Sequence, residues 1–461
     1  MTIYKIQLMA YGEQDYYLTG NPQISFFKKI YRRHTHFSRE KLDINFTKDG
    51  GLSKFSSHFK AIIPRKGELL SGLSLEIDIT CENNGNETGK SFYTVNNFIN
   101  SLIKHSRIKI NEYTIEEYIS QWRQIKHELT HKSTDHYNYM SSELYGGKQT
   151  EFNFTRDTNR TYISNEDIIE GFSPLIVGGS TALNEYKPIG STRNIIGNAT
   201  PLTKKLIYNF DFWFTRNIGM ALPIVCLYNN EVMLEFDTEK KDELIGNVTS
   251  LTIDKIVLKG DFIHLYGDEK RRFTNSSHEY LIEQLQYNDR LKTMTSTETP
   301  LPSQTVNINN LKHPIKYITW AVQNKGTNTN NPGQGPCYFV SMTNSNLYGN
   351  DGTQGSFHIQ LNGTDSYRNM PMIYYTRHNT KHLCDVVPAL DRIGLFSFCL
   401  NPFDSQPSGT CNMSKIRDKK LQFVFSNNKI DTISNKNLFI FAVNYNVFKI
   451  NSNGMGGLLF K

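Results

Sequence analysis

Residues 73–79 alternate without a break: Leu73, Leu75, Ile77 and Ile79 are apolar, and Ser74, Glu76 and Asp78 between them are polar, with Thr80 extending the polar set. A period of two sends successive side chains to opposite faces, so this stretch has to be a strand with one face in a core and the other in water. The rule recurs where Ile108 and Ile110 alternate with Arg107 and Lys109, and where Val232, Leu234 and Phe236 alternate with Glu231, Glu235 and Asp237. The first half therefore reads as antiparallel β. With 28 Phe and 25 Tyr, and with Gly, Asn, Ser and Thr between the apolar runs, the chain carries strand and turn formers throughout.

At 461 residues the chain exceeds one ordinary core, and the pattern divides it in two. Strands are expected again near 253–266, 317–322, 357–361, 421–425 and 439–447, and strand character also returns over 206–214. The exception is 114–144, where Ile115, Tyr118, Ile119, Trp122, Ile125 and Leu129 fall three and four apart, which predicts an inserted helical segment. Two polar, Gly/Asn/Thr-rich excursions, 146–202 and 323–354, are too long for hairpin loops. The charged, weakly patterned residues 237–247 read as a linker, giving an arm at 1–37, one β unit at 38–240 and a second at 250–461.

The N-terminal stretch 11–37 has its own character. Thr19-Gly20-Asn21-Pro22 predicts a tight turn, since Gly admits positive φ and Pro bars a helix through Asn21. Beyond it, Ile24, Phe26 and Phe27 precede Lys28, Lys29, Arg32, Arg33, His34 and His36, with Tyr31 and Phe37 interleaved. Apolar anchors beside dense positive charge suit docking onto a surface, although an arm packed on its own domain would share the composition. The net charge of +7 is too diluted over this length to argue nucleic-acid binding.

The six cysteines, Cys81, Cys226, Cys337, Cys384, Cys399 and Cys411, form no CxxC pair and no zinc spacing, so free thiols are expected. The opening MTIYKIQLMAY lacks a cleavage signal, and the longest apolar stretch, 218–228, is short and holds Pro223, so neither a signal peptide nor a membrane span is expected. Asn-x-Ser/Thr sequons stand at Asn45, Asn86, Asn153, Asn159, Asn198, Asn247, Asn275, Asn362 and Asn412, and no occupied one is named.

Two motifs suggest chemistry. His127-Glu128-Leu129-Thr130-His131 is an HExxH, which on a helix sets two imidazoles on one face for zinc with Glu128 as general base. Its metzincin extension fails, because Thr134 and Tyr137 stand where Gly and the third His are needed, and an exposed face of the inserted helix accounts for it. Gly85 to Ser91 imitates a phosphate loop, but only three residues separate its glycines where four are required, so it reads as a turn. No catalytic, cofactor-binding or metal residue is assigned.

The stretch YGEQDYYLTGNPQISFFKKIYRRHTHF at 11–37 resembles the N-terminal signature of the major capsid proteins of nucleocytoplasmic large DNA viruses, the double jelly-roll family. Phe212-Trp213-Phe214 through Ala221-Leu222-Pro223, with Asn230-Glu231-Val232, is similar to the family's segment closing the first jelly roll, and Arg271-Arg272-Phe273 with His278 to Gln284 to its entry into the second. Gln406 to Asn412, reading QPSGTCN, and Phe441 to Val447 with Gly454 to Gly457 complete a likeness that spans the chain. The resemblance implies an all-β fold of two consecutive eight-stranded jelly rolls, each a β-sandwich, with a short helical insertion and long surface loops. It further implies a non-enzymatic protein without cofactor, assembled in the host cytoplasm into homotrimers of pseudo-hexagonal outline that tile an icosahedral shell. Neighbouring capsomers, minor capsid proteins and the inner viral membrane are the implied partners, with no sequence-specific nucleic acid. Phe26, Phe27, Lys28, Lys29, Arg32 and Arg33 are then the expected contacts to the capsid interior. The alternative is a jelly-roll zinc hydrolase or carbohydrate-binding protein using His127, Glu128 and His131.

Overall fold

The computed structural model describes residues 3–49, 51, 53–82, 93–94, 98–130, 160–161, 176–177, 202–246, 250–287, 292–294, 304–324, 339–340, 355–384, 386, 392–424 and 436–460. Met1–Phe37 forms one compact unit and Ser38–Lys461 another. In the first unit two short helices, Ile3–Met9 and Glu13–Thr19, precede chain without regular structure. The turn expected after them is there, but its left-handed residue is Asn21, with φ 49°, while Gly20 stays extended with φ −70°. An Asn before proline tolerates that conformation because its short polar side chain can bond locally.

Among the described residues, sixteen strands have four residues or more. Eight are β1 (Phe37–Ile44), β2 (His58–Ile62), β3 (Leu69–Glu82), β4 (Ile103–Ile110), β5 (Tyr113–Ile119), β6 (Leu202–Asn209), β7 (Val232–Thr238) and β8 (Ser250–Leu265). The other eight are β9 (His278–Tyr287), β10 (Gln304–Asn307), β11 (Pro314–Asn324), β12 (Ser356–Leu361), β13 (Thr364–Pro371), β14 (Ile393–Ser397), β15 (Lys419–Val424) and β16 (Lys436–Ile450). The first set makes sheets ordered β1-β8-β3-β6 and β2-β7-β4-β5, and the second makes β9-β16-β11-β14 and β10-β15-β12-β13. Position by position these are the same order: first, eighth, third, sixth against second, seventh, fourth, fifth. The chain is a duplicated two-sheet sandwich, which is the double jelly roll.

The alternation that predicted strand β3 is visible in its burial, since Leu73, Leu75, Ile77 and Ile79 are in the core and Ile77 lies between Leu206 and Ile256 of the flanking strands. On β7 the complementary face forms an ionic ladder instead of a bare wet surface. Glu235 meets Lys109 at 2.8 Å, and Asp237 meets His58 and Arg107 at 2.6 Å each, on the strands to either side. Cross-strand pairs of opposite charge favour this register over its neighbours.

Three expectations need correction. The helix expected over 114–144 begins only at Ser120: β5 occupies Tyr113–Ile119 and α1 runs Ser120–Thr130, while 131–144 lies outside the described residues. A register shift opposite Ile108 and Lys109 inserts one extra residue in β5, so apolar Ile115 and Tyr118 fall three apart in a strand and imitate a helix. Strand character over 206–214 stops at Asn209, and Trp213–Arg216 is a helical turn. The linker at 237–247 is built into the first half, for Asp237 lies in β7, Leu244 is buried and Ile245–Gly246 pairs with Tyr93–Thr94. Strand β8 then returns along the whole of β3, from Ser250 opposite Glu82 to Ile263 opposite Leu69. Residues 250–265 therefore belong to the first sandwich, and the chain passes to the second through the helix Asp268–Asn275. Charge there marked the short helix Lys241–Leu244, on which Asp242 and Glu243 are exposed, rather than a boundary.

The two expected excursions lie largely outside the described residues, but their points of departure do not. Leu202 re-enters beside Cys81 near the end of β3, and Asn324 leaves beside Lys436 where β16 begins. Helix α1 follows β5 and a second helical segment, the π turn Tyr374–His378 running into α2 (Asn379–Cys384), follows β13, which is the equivalent position in the other half. The two helices touch, so both halves present these ends together.

Each sandwich has a core, and that of the first extends across Tyr317, Phe441 and Phe448 onto the large sheet of the second. Inside the second, Trp320 is fully buried and stacks on Phe357 with ring centroids 4.0 Å apart. Its indole occupies the space above Gly394 on the neighbouring strand, where an added Cβ would lie 2.2 Å from the ring. Gly394→Ala is expected to cost roughly 3 kcal/mol through overpacking, seen as a lower unfolding midpoint by calorimetry. Gly457→Ala, where a Cβ meets nothing within 4 Å, is expected to leave the midpoint unchanged.

Candidate functional site

A cluster of charged side chains lies where the two sandwiches meet. The bulge in β5 turns Glu116 inward, where it is 4% exposed. The connection after β6 supplies Asp211 and Arg216, and α1 supplies Lys126; from the second half come Glu283 on β9 and Lys316 on β11. Arg216 binds Glu116 at 2.6 Å and Asp211 at 3.0 Å, and reaches across to Glu283 at 3.4 Å. Lys126 Nζ closes on the other Asp211 oxygen at 2.5 Å. Lys316, 0% exposed, donates to Glu283, approaches the Asp404 carbonyl at 3.4 Å and lies 4.9 Å from the centre of the Tyr445 ring. Three carboxyl groups thus face three cations across the seam.

The protonation states follow from this geometry. Burial by itself would raise Asp211, but Lys126 and Arg216 outweigh it and hold the carboxyl down at about 2. Burial would likewise lower Arg216, yet Glu116, Asp211 and Glu283 hold it above its usual value. Glu116 is pushed up to about 7 by burial, against the pull of Arg216 and the Trp213 N–H that donates to it at 2.8 Å. A buried ion cluster gains little over apolar packing, but removing one member strands the others.

Aromatic packing surrounds the charges. Trp122 of α1 lies 6.4 Å from Tyr317 and 5.5 Å from Phe441, and Trp213 lies 5.7 Å from Phe448, centroid to centroid. Such pairs contribute about 0.5–1.5 kcal/mol each beyond the area they bury. The Gln284 amide donates to the Ile115 carbonyl at 2.5 Å, a further bond between the halves.

Three of the sequence segments that carried the family resemblance meet here: Trp213 sits in 212–223, Glu283 and Gln284 in 278–284, and Tyr445 in 441–447, with β9 and β16 paired from His278 opposite Ile450 to Tyr287 opposite Phe441. Sequence reasoning missed Arg216 and Lys316, because nothing local distinguishes a buried Lys in a strand from an exposed one.

The HExxH residues are placed differently from the expectation of an exposed face. His127 is 9% exposed, and Glu128 is half-buried, accepts the Gln124 amide at 2.6 Å and has its pKa raised by burial against the influence of Arg392. Helix α1 turns this side inward because Trp122, Ile125 and Leu129 share the seam's core. His131 lies outside the described residues, as does the phosphate-loop imitation at 84–91; no cluster of three metal-ligating groups occurs among the described residues. The arm residues Phe26 and Phe27 are 91% and 100% exposed, and Lys28, Lys29, Arg32 and Arg33 are exposed too, with Lys29 Nζ 5.3 Å from the centre of the Tyr31 ring.

Comparison with known proteins agrees with this architecture. A family model described as "Major capsid protein N-terminus" matches residues 25–261, and one described as "Large eukaryotic DNA virus major capsid protein" matches 269–457. The major capsid protein of Pyramimonas orientalis virus is 30% identical over 99% of this chain and 98% of its own length. This chain belongs to the major capsid proteins of large eukaryotic DNA viruses. The major capsid protein of Paramecium bursaria Chlorella virus 1 is also 30% identical, over 98% of each chain. Among solved structures, PBCV-1 VP54, fitted into a reconstruction of the virophage Sputnik, superposes with a TM-score of 0.69 at 25% identity, covering 95% of this chain and 100% of VP54. The Faustovirus major capsid protein shares the fold, with a TM-score of 0.64 at 11% identity over 96% of this chain and 94% of its own. This capsid protein is thus a structural component of the virion rather than an enzyme, and the zinc-hydrolase alternative falls away.

Arg216→Ala leaves three carboxyl groups with two cations and is expected to cost about 3–5 kcal/mol, measured by denaturant unfolding. Asp211 binds its proton more weakly folded than unfolded, so its contribution is complete above its ordinary value of 3.8 and is lost as pH falls towards about 2. Asp211→Asn is therefore expected to flatten the stability profile between pH 4 and pH 2.

Proposed function

We propose that the chain forms homotrimeric capsomers that tile an icosahedral shell. The observation that carries this reading is the identical strand order of the two halves, with the core of the first extending onto the large sheet of the second. Three copies about an axis present six alike blocks, and six alike blocks give an outline that tiles a sheet. The ionic seam keeps the two blocks of each copy in fixed orientation, which repeated lateral contacts require. The two jelly rolls are proposed to divide after β8. Purified protein is expected at three chains per particle by mass measurement, with hexagonal outlines in electron micrographs; a stable monomer at micromolar concentration would sink the reading.

The excursions 146–202 and 323–354 are proposed to form the outer, host-facing end of the capsomer. Their polar composition and their departure from one end of both sandwiches support this. Limited proteolysis of intact particles is expected to cut within them first.

The arm is proposed to serve the interior of the capsid. Phe26 and Phe27 offer anchors, and Lys28, Lys29, Arg32 and Arg33 would meet acidic minor capsid proteins or anionic headgroups of an inner membrane. Assembly is taken to occur in the host cytoplasm. Exposed charges are screened within about 8 Å at physiological ionic strength, so salt should weaken the contact. Replacing the four cations by Gln is expected to leave the trimer folded while reducing shell yield; normal shells from that variant would show that the arm's charge plays no part.

A further inference from the structure

The seam uses only half of what the two alike sandwiches offer. To it the first half presents β5, the end strand of its small sheet, through Ile115, and helix α1 through Trp122. The second half presents one face of its large sheet, β9-β16-β11-β14, through Tyr317, Phe439, Phe441 and Val443. By strand order, the equivalents of these elements are β13 with residues 374–384 in the second half, and the large sheet β1-β8-β3-β6 in the first. Those equivalents do not meet. Strand β13 ends its sheet, and His378 and His382 stand exposed on the helical segment that follows it.

The large sheet of the first half turns a polar face outward. Ile207, Glu76 and Val257 stand abreast on β6, β3 and β8, and Lys205, Asp78 and Lys255 form the neighbouring row on the same face. Ile207 is 38% exposed, and Lys205 and Lys255 are exposed as well. Lys259 reaches Glu76 at 3.1 Å and Asp43 at 3.7 Å, and Lys205 reaches Asp78 at 3.9 Å. The matching face of the second half is apolar, and it is covered within its own chain. A face left open until another chain arrives has to stay soluble, which a contiguous apolar patch would not allow. Interfaces between separately folded chains are accordingly about as polar as the rest of the surface.

We infer that the outward face of β1-β8-β3-β6 receives β13 and residues 374–384 of a second copy of this chain, as the large sheet of the second half receives β5 and α1 inside one chain. This joint presupposes the trimer proposed above and assigns the surfaces that build it. Ile207, Val257, His378 and His382 all lie outside the core of the seam, two on each half, so a chain does not close these surfaces on itself. The second half of one copy meets the first half of the next instead. Such a head-to-tail contact closes into a ring when its rotation permits, and otherwise runs on as a filament. With seams and joints alternating, three chains set six blocks in a ring. The seam within each chain is apolar around its ions, and the joint between chains is polar.

The test is the mass in solution of two full-length variants, alone and mixed. The variant I207R/V257R plants two long charged side chains in the middle of the sheet face, and H378E/H382E sets two carboxylates against the face that holds Glu76 and Asp78. Each alone is expected as a folded monomer, with its near-ultraviolet circular dichroism unchanged, where the wild type is a trimer. An equimolar mixture is expected to give dimers of one chain of each kind, because each variant keeps the surface that the other has lost. Should a double variant lose its near-ultraviolet signal, the single substitutions I207R and H382E carry the same comparison. A trimeric wild type whose folded variants are still trimeric, or a mixture that stays monomeric, would overturn the joint and leave the trimer standing. A monomeric wild type would remove the trimer itself, and the joint with it.

Discussion

The contact on which the rest of this molecule depends is Arg216 reaching from the first sandwich to Glu283 on the second, with Glu116 and Asp211 behind it. Two sandwiches joined only by a helix such as Asp268–Asn275 would be free to rock. Apolar contact between Trp122, Tyr317 and Phe441 supplies attraction but is tolerant of sliding. Hydrogen-bonded charges are not tolerant, because each has to find its partner or remain desolvated alone. The seam therefore selects one relative orientation of the halves. A shell component gains from that selection, since any error in the angle between two blocks is repeated at every lateral contact.

The two halves are alike in topology and differ in what their side chains do. The strand order is the same, and helical segments follow the fifth strand of each. The likeness is carried by backbone pairing, which any suitably alternating sequence satisfies, and so survives without residue identity between the halves. Side chains were free to diverge: one helix buries Trp122 in the seam, and the other exposes His378, Lys381 and His382.

Some of what was missed was legible. Asn362-Gly363 adopts φ of 49° and 81° in the two-residue turn between β12 and β13, the hairpin that an Asn-Gly pair flanked by alternating residues announces. Read only as part of a sequon, Asn362 hid that signal, and its side chain accepts the Arg417 and Asp418 amides. The bulge in β5 was not legible, for a single extra residue shifts the apolar spacing from two to three and produces a helical pattern in a strand.

By itself the sequence determined the β class, the places of most strands, the basic and aromatic arm, and the family likeness, because alternation and motif are properties of neighbouring residues. Only the tertiary structure decided where β8 belongs, which face of α1 is buried, and that Lys316 lies in the dark beside Glu283. Those outcomes depend on partners far apart in the chain, Arg216 with Glu283 across 67 residues and with Glu116 across 100. A charged residue carries no local mark of whether its counter-charge waits in solvent or across a sheet, and burial of an ion is settled only when that partner arrives.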